Sequence, residues 1–319
     1  MTDQHSFPIT PVDQFRDAIA RKGMVPPDAI IDDGKIHHFS SSGRPRDDKG
    51  WYVFHAGDIP TGAFGDFRQY GTTSFPWIAD IGRTWTPTEK SDYQKKQADM
   101  RSQRKAETEQ RRAEAKEKAA TILQISSPAR DGHPYLQRKG VGAYGLRHWK
   151  DLLVIPLYDD TGEVQSLQLI SGDGGKKFLS GGKMQGCYFP IGNIDGSDTI
   201  LIAEGYATAA TIHELTGLPV IVAYNAGNLL PVAESIRAQY PSASIILCAD
   251  DDFKTKGNPG ITKATEAAEA IGGKVIVPVF GENRPEKATD FNDMAAHLGK
   301  VAVTNFFIDT VNLWKGAIA

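Results

Sequence analysis

The 319-residue sequence predicts an α/β protein: a mostly parallel sheet with helices on both faces, preceded by a mixed α+β subdomain and a small N-terminal α+β module. Three observations predict it. Residues 198–299 alternate near-continuous apolar runs (TILIA, LPVIVAY, ASIILCA, KVIVPV) with helical stretches, which is the pattern of parallel strands covered on both sides. Residues 125–197 carry the strand candidates DLLVIPLYD, EVQSLQLIS and KKFLSG, separated by glycine-containing turns. Residues 1–85 combine one amphipathic stretch, PVDQFRDAIARKG, with short aromatic-rich strands, GKIHHFSS, GWYVFHAG and GAFGDFRQYG.

Composition narrows the class. A chain of this length holds two or three domains, and 40% hydrophobic with 24% charged residues is ordinary for a soluble globular protein. The net charge of −3 gives no global basic signature, so contact with nucleic acid would need local patches. Two cysteines, Cys187 and Cys248, cannot make a four-ligand zinc site, and no zinc is expected. A reduced, cytoplasmic protein fits best. The N-terminus lacks a cationic-apolar signal segment, and no apolar run approaches the roughly 20 residues that cross a bilayer, so no membrane partner is expected.

In the N-terminal module, His37, His38 and His55 read as strand positions, because no cysteine or acid completes a ligand set. Trp51, Tyr52 and Phe67 read mainly as core aromatics, with stacking on unpaired bases as the alternative. Residues 86–124 read as a charged linker helix. Thr86-Pro87-Thr88-Glu89 is a helix start with a threonine cap and a glutamate three residues on, and ten Lys/Arg against seven Asp/Glu follow between Glu89 and Lys118. In residues 125–197, Arg138, Lys139, Lys176, Lys177 and Lys183 lie beside glycine-rich turns; phosphate contact and plain solvation explain them equally well. Residues 300–319 are expected to be a C-terminal tail.

In residues 198–299, helices are expected at about 206–216, 229–240, 260–271 and 293–298, ended by Gly217, Gly272 and Gly299. Ligands of an open α/β sheet bind outside the carboxyl ends of its strands. Acids follow three of these strands: Glu204, then Asp250-Asp251-Asp252, then Asp290 and Asp293. Parallel strands would bring them to one edge, where their repulsion calls for a cation. An oxygen-only set suits Mg²⁺ or Mn²⁺, with Asp250 and Asp252 facing one side and Asp251 turned away. Gly205 is expected to turn the chain sharply and let a backbone amide approach phosphate. The Asn225-Ala226-Gly227-Asn228 loop would either shape a pocket through Asn228 or cap the next helix.

These residues resemble the Toprim fold of primases, topoisomerases and some nucleases, whose pattern is a glutamate after the first strand and DxD after a later one, here Glu204 and Asp250/Asp252. EGYATA, NAGNL, the DDD…NPG run and TDFND look like the Toprim primases of phages and conjugative plasmids. HPYLQRKGV, LLVIPLYDDTGEVQSLQLI and GGKKFLSGGKMQGCYFPIG are similar to the N-terminal half of a bacterial primase core, and GWYVFHAG with IPTGAFGDFR resembles the module preceding such cores. The resemblance covers most of the chain and is most specific from about 120 to 299.

It implies a DNA-directed RNA polymerase of the primase type, serving replication of a mobile element. Such an enzyme joins ribonucleoside triphosphates on single-stranded DNA with Mg²⁺ or Mn²⁺, and a replicative helicase is a possible partner. Glu204, Asp250 and Asp252 would be catalytic and, with Asp290, metal-binding. Arg138, Lys139, Lys176, Lys177, Lys183, Gly205 and Asn228 would bind template or nucleotide. The zinc ribbon of classical bacterial primases is missing, as is a phosphate-loop motif. A metal-dependent nuclease and a non-catalytic single-stranded-DNA-binding adaptor are the alternatives.

Overall fold

The computed structural model describes residues 10–71 and 73–316. The chain divides into two compact units, Met1–Asp99 and Met100–Ala319.

In the first unit, Thr10 caps helix α1 (Pro11–Arg21) by accepting from the Asp13 amide. Strands β1 (His37–Phe39), β2 (Gly50–His55), β3 (Thr61–Asp66) and β4 (Phe75–Ile78) form an antiparallel sheet in that order. Phe15 and Ile19 of α1 pack on Tyr52, Phe54 and Phe64, which gives this small unit its own aromatic core.

Helix α2 (Pro87–Ile125) starts as a capping box: the Glu89 amide donates to Thr86 Oγ1 at 3.2 Å, and the Thr86 amide returns a bond to Glu89 Oε2 at 2.8 Å. The helix is not solvated throughout. Ala115, Ala119 and Ile122 are buried against Val154, Leu167 and Leu179.

In the second unit, β5 (Ser127–Pro128), helix α3 (Pro134–Lys139), β6 (Arg147–Trp149), β7 (Leu152–Tyr158), β8 (Val164–Ser171) and β9 (Lys176–Phe178) form the mixed subdomain. Its five strands run antiparallel in chain order. The next sheet has the order β10-β12-β11-β13-β14, with β10 at Phe189–Ile191, β11 at Thr199–Ala203, β12 at Val220–Val222, β13 at Ser244–Cys248 and β14 at Lys274–Ile276. All pairings are parallel except that of β10. Every residue of β11 is buried, as a central strand requires.

Helices α4 (Tyr206–Thr216), α5 (Leu229–Gln239), α6 (Pro259–Ile271), α7 (Phe291–Leu298) and α8 (Lys300–Gly316) complete the unit. Residues of α4, α7 and α8 form one core with Leu201 and Val222, while α5 and α6 form another with Ile200 and Ile202 on the opposite face. The two-sided α/β sheet is thus as expected. Residues 300–316 are helical rather than a tail, because Val303 and Phe307 of α8 are buried against Phe291; residues 317–319 lie outside the described residues. No described helix is long and apolar enough to cross a membrane.

Candidate active site

Parallel pairing of β11 with β13 aligns Ala203 with Cys248. Glu204 and Asp250 therefore leave neighbouring strands at the same carboxyl edge. Asp290 arrives differently. Thirteen residues separate it from β14, and it is the N-cap of α7, where Oδ1 accepts from the Asp293 amide at 2.8 Å. Its Oδ2 accepts from Thr208 Oγ1 of α4 at 3.0 Å, and Asp251 N bonds to Thr289 O at 2.8 Å. These bonds draw the start of α7 back to the sheet edge.

The acids repel one another there. Burial raises Glu204 to about 7, with the Asp252 charge adding to it, and the Ala226 amide of the NAGN loop pulls the other way by donating to the carboxylate. Burial pushes Asp250 up to about 9, helped by Glu204, Asp290 and Asp252. Asp290 is also raised, by burial and then by Asp293. Glu204 Oε1 and Asp250 Oδ1 are buried with no hydrogen-bond partner among the described residues. Buried carboxylate oxygens without partners are costly unless something absent from the chain binds them.

An oxygen-only set with two such orphans has the chemistry of a hard divalent cation site. It is an open edge, not a closed cage: among the described residues, no three His, Cys, Asp or Glu side chains stand close enough to hold an ion unaided. That statement includes His37, His38 and His55. His37 bonds Asp33 at 2.7 Å and His38 bonds the Asp48 carbonyl at 3.0 Å, so both are occupied strand residues.

The middle acid, Asp251, is held outside the set. Its Oδ1 accepts from Asn258 at 2.6 Å and its Oδ2 from Arg284, whose guanidinium lies 3.9 Å from the Phe253 ring centre and 4.4 Å from that of Phe280. Asp252 Oδ2 accepts from the Gly260 amide at the start of α6, at 3.2 Å. A Cβ on Gly260 would stand 2.2 Å from the Asp250 carbonyl oxygen, so only glycine lets α6 come this close. Asn258 just before it adopts a left-handed φ of 41°.

The basic residues divide. Lys176, exposed on β9, brings its ammonium to the acids. Loss of water around it and the Lys139 charge lower its pKa, while Asp290, Asp250 and Glu204 pull it back up. Lys139 sits 3.6 Å from Asp293. Arg138 instead bonds the Gly172 carbonyl at 2.9 Å and lies over Tyr135. Lys177 is exposed on the same strand as Lys176, and Lys183 lies near Cys187, away from the acids named around Lys176.

The chain bends at Glu204 and Gly205 as expected, but with an extended Gly205 backbone (φ −100°, ψ 151°) that any residue adopts. A Cβ there would meet Thr208 Oγ1 at 3.6 Å and Lys176 Nζ at 4.0 Å, ordinary contact distances. One expectation needs correction. Asn228 is a buried structural residue. Its Oδ1 accepts from Gly186 N at 2.8 Å, and its Nδ2 donates to the Cys187 and Ala223 carbonyls, both at 2.9 Å, leaving no group for a ligand. The cap at that loop is Asn225, which accepts from Asn228 N at 3.1 Å.

Thr208, Gly260, Arg284 and Asn292 support the site without having been singled out from sequence. So does Tyr135, whose buried hydroxyl has no partner and whose pKa burial and then Asp290 raise to about 12. The NPG triplet was the one available signal, for Gly260. A cleft of about 660 Å³, lined by Arg130, His133, His148 and Asp151, contains none of the acids.

Residues 199–300 match the Toprim domain family, and the acid edge just described lies within that stretch. The chain is 34% identical over 296 residues to a DNA primase TraC of Escherichia coli, covering 88% of this chain and 28% of that protein. It is 32% identical over 288 residues to another E. coli DNA primase TraC, covering 85% and 20%. The chain thus spans less than a third of the length of these relatives. Among solved structures it is similar to the primase fragment of the bacteriophage T7 primase-helicase protein, with a TM-score of 0.41 and 20% identity over 54% of this chain and 74% of that one.

Proposed function

We propose that the chain is the nucleotidyl-transfer part of a DNA primase, making short RNA primers from ribonucleoside triphosphates on single-stranded DNA during replication of a mobile element. The observation that carries this is the pair of buried, partnerless oxygens, Glu204 Oε1 and Asp250 Oδ1, on one edge of a Toprim domain. The similarity to two proteins named DNA primase selects among Toprim chemistries.

Asp250, Asp252, Glu204 and Asp290 would hold Mg²⁺ or Mn²⁺. Such a cation, when bound, supplies charge to offset the triphosphate and favours ionisation of the attacking 3′-hydroxyl. Glu204 would take a metal-centred role, with its partnerless Oε1 facing the cation. Lys176 and Lys139 neutralise phosphate oxygens beside the acids. Arg138, Lys177 and Lys183 guide the template, and the side-chain-free surface at Gly205 admits the triphosphate.

The test is incubation with single-stranded DNA, labelled ribonucleotides and Mg²⁺ or Mn²⁺. Template-dependent oligoribonucleotides support the primase. Cleavage without synthesis favours a nuclease, and binding with neither activity favours an adaptor. Glu204→Gln and Asp252→Asn should each lose about 100-fold or more in synthesis. Full activity in both would sink the site assignment.

A further inference from the structure

The first unit carries an aromatic surface of its own. His38 and Trp51 are cross-strand partners on β1 and β2. Phe67, 50% exposed, joins them: its ring centre is 6.3 Å from that of His38 at 26° and 6.2 Å from that of Trp51 at 32°. Tyr52, the neighbour of Trp51, points the other way into the core at 2% exposure. Hence His38 and Trp51 lie on the face away from the core by strand alternation, and Phe67 sits beside them in the turn after β3.

The geometry is held in place. The turn that presents Phe67 is fixed by Asp66, whose Oδ1 accepts from Arg68 N at 2.6 Å and Gln69 N at 2.7 Å. Under the indole lies Gly65, where a Cβ would stand 2.8 Å from Trp51 Nε1. Trp51 Nε1 is buried without a hydrogen-bond partner.

The loop bonded to the Phe67 backbone is basic. The β1–β2 loop contains Arg44, Arg46 and Lys49, and Phe67 N bonds the Lys49 carbonyl at 3.0 Å. The two loop acids are already engaged: Asp47 accepts from Arg68 at 2.7 Å, and Asp48 pairs with Lys49 at 2.7 Å. Arg44 and Arg46 have no ion pair among the described residues. Near-parallel rings with Phe67 half exposed, in a unit whose β1–β2 loop carries guanidinium groups with no ion pair among the described residues, match the two demands of an unpaired strand: faces for bases and positive charge for phosphates.

We infer that this surface is a binding platform for single-stranded DNA, with a base stacking on Phe67 and phosphates on Arg44 and Arg46. The choice of DNA rests on the reading of the chain as a primase; the platform itself does not.

The experiment is a fluorescence-anisotropy titration of labelled oligothymidylate with the full chain over a range of salt. Phe67→Ala, exposed and therefore compatible with folding, is expected to weaken binding roughly tenfold, and Phe67→Trp to retain it. Arg44→Gln with Arg46→Gln should flatten the plot of log affinity against log salt by about 1.4, at about 0.7 per phosphate contact on a single strand. Unchanged affinity in Phe67→Ala overturns the platform, even if primers are made. Equal, equally Phe67-dependent affinity for a duplex of the same length also overturns it, since paired bases offer no free faces. Phe67-dependent binding in a chain that makes no primers leaves the platform standing and refutes only the primase reading.

Discussion

Arg284 holds Asp251 by two routes: one guanidinium nitrogen bonds its carboxylate and another its backbone carbonyl, the latter at 2.9 Å. The grip removes the middle acid of an Asp-Asp-Asp run from the edge where Asp250 and Asp252 are needed. Arg284→Met should leave a partly buried carboxylate unpaired, at about 2 kcal/mol of stability. Synthesis should also fall, because a released Asp251 competes for the same face. Thermal unfolding and primer assays check both effects, and Arg284→Lys should rescue neither fully, since an ammonium cannot reproduce the two-pronged contact.

The raised pKa of Asp250 has a consequence for the metal-free protein. Its carboxyl titrates at about 9 when folded against an ordinary 3.8, so the folded state binds the extra proton between those values. That contribution to stability is fully present below pH 3.8 and is lost as pH rises through about 9. At pH 8 without divalent ions, Asp250→Asn should therefore melt higher than the unaltered chain, by at least ~1 kcal/mol. Adding Mg²⁺ should raise the melting temperature of the unaltered chain more than that of the variant. Scanning calorimetry at pH 5 and 8, with and without Mg²⁺, measures both differences.

Gly260→Ala should be more damaging than an ordinary glycine substitution in a helix. The added methyl meets the Asp250 backbone, not a flexible side chain, so α6 must move. A cost of about 1–3 kcal/mol is expected. The Gly260-to-Asp252 hydrogen bond should loosen with it, so synthesis falls further than stability alone explains. Comparing activity well below the melting temperature separates the two losses.

The start of α2 should be acid-labile. The Arg83 guanidinium and the Thr86 amide hold Glu89 down to about 2 from an ordinary 4.5. Its stabilisation is present above pH 4.5 and is lost as pH falls through about 2. Amide exchange at Thr86–Lys90 should quicken over that window, and Glu89→Gln should show the same fast exchange at pH 7.

Much of this was readable because strand-helix alternation in residues 198–299 is regular. Once TILIA is a buried parallel strand, Glu204 must lie at its carboxyl end, and the same argument places Asp250. What sequence hid is what tertiary contact decides. Arg284 lies 33 residues from Asp251 in the chain. Asn292 is further still from its partners: it donates to the Lys139 carbonyl at 2.7 Å and to Thr211 Oγ1 at 2.9 Å, tying α7 to α3 and α4. No local period signals such bonds. Asn228 misleads for the opposite reason. A polar residue in a small-residue loop reads alike whether it faces a ligand or is buried on backbone carbonyls. At Gly205 the chain does bend, but with a backbone that any residue adopts, so the glycine itself was not required for it.

Strand β9 has only β8 beside it in its sheet, and all three of its residues are exposed. An open strand edge is a template on which another copy of the chain can add a strand. Lys176 and Lys177 place two charges on that edge, so two molecules approaching there repel. The two lysines are thereby a guard against self-association. Neutralising both should produce concentration-dependent aggregates by light scattering, whatever happens to synthesis, so evolution can trade away this charge only by covering the edge some other way.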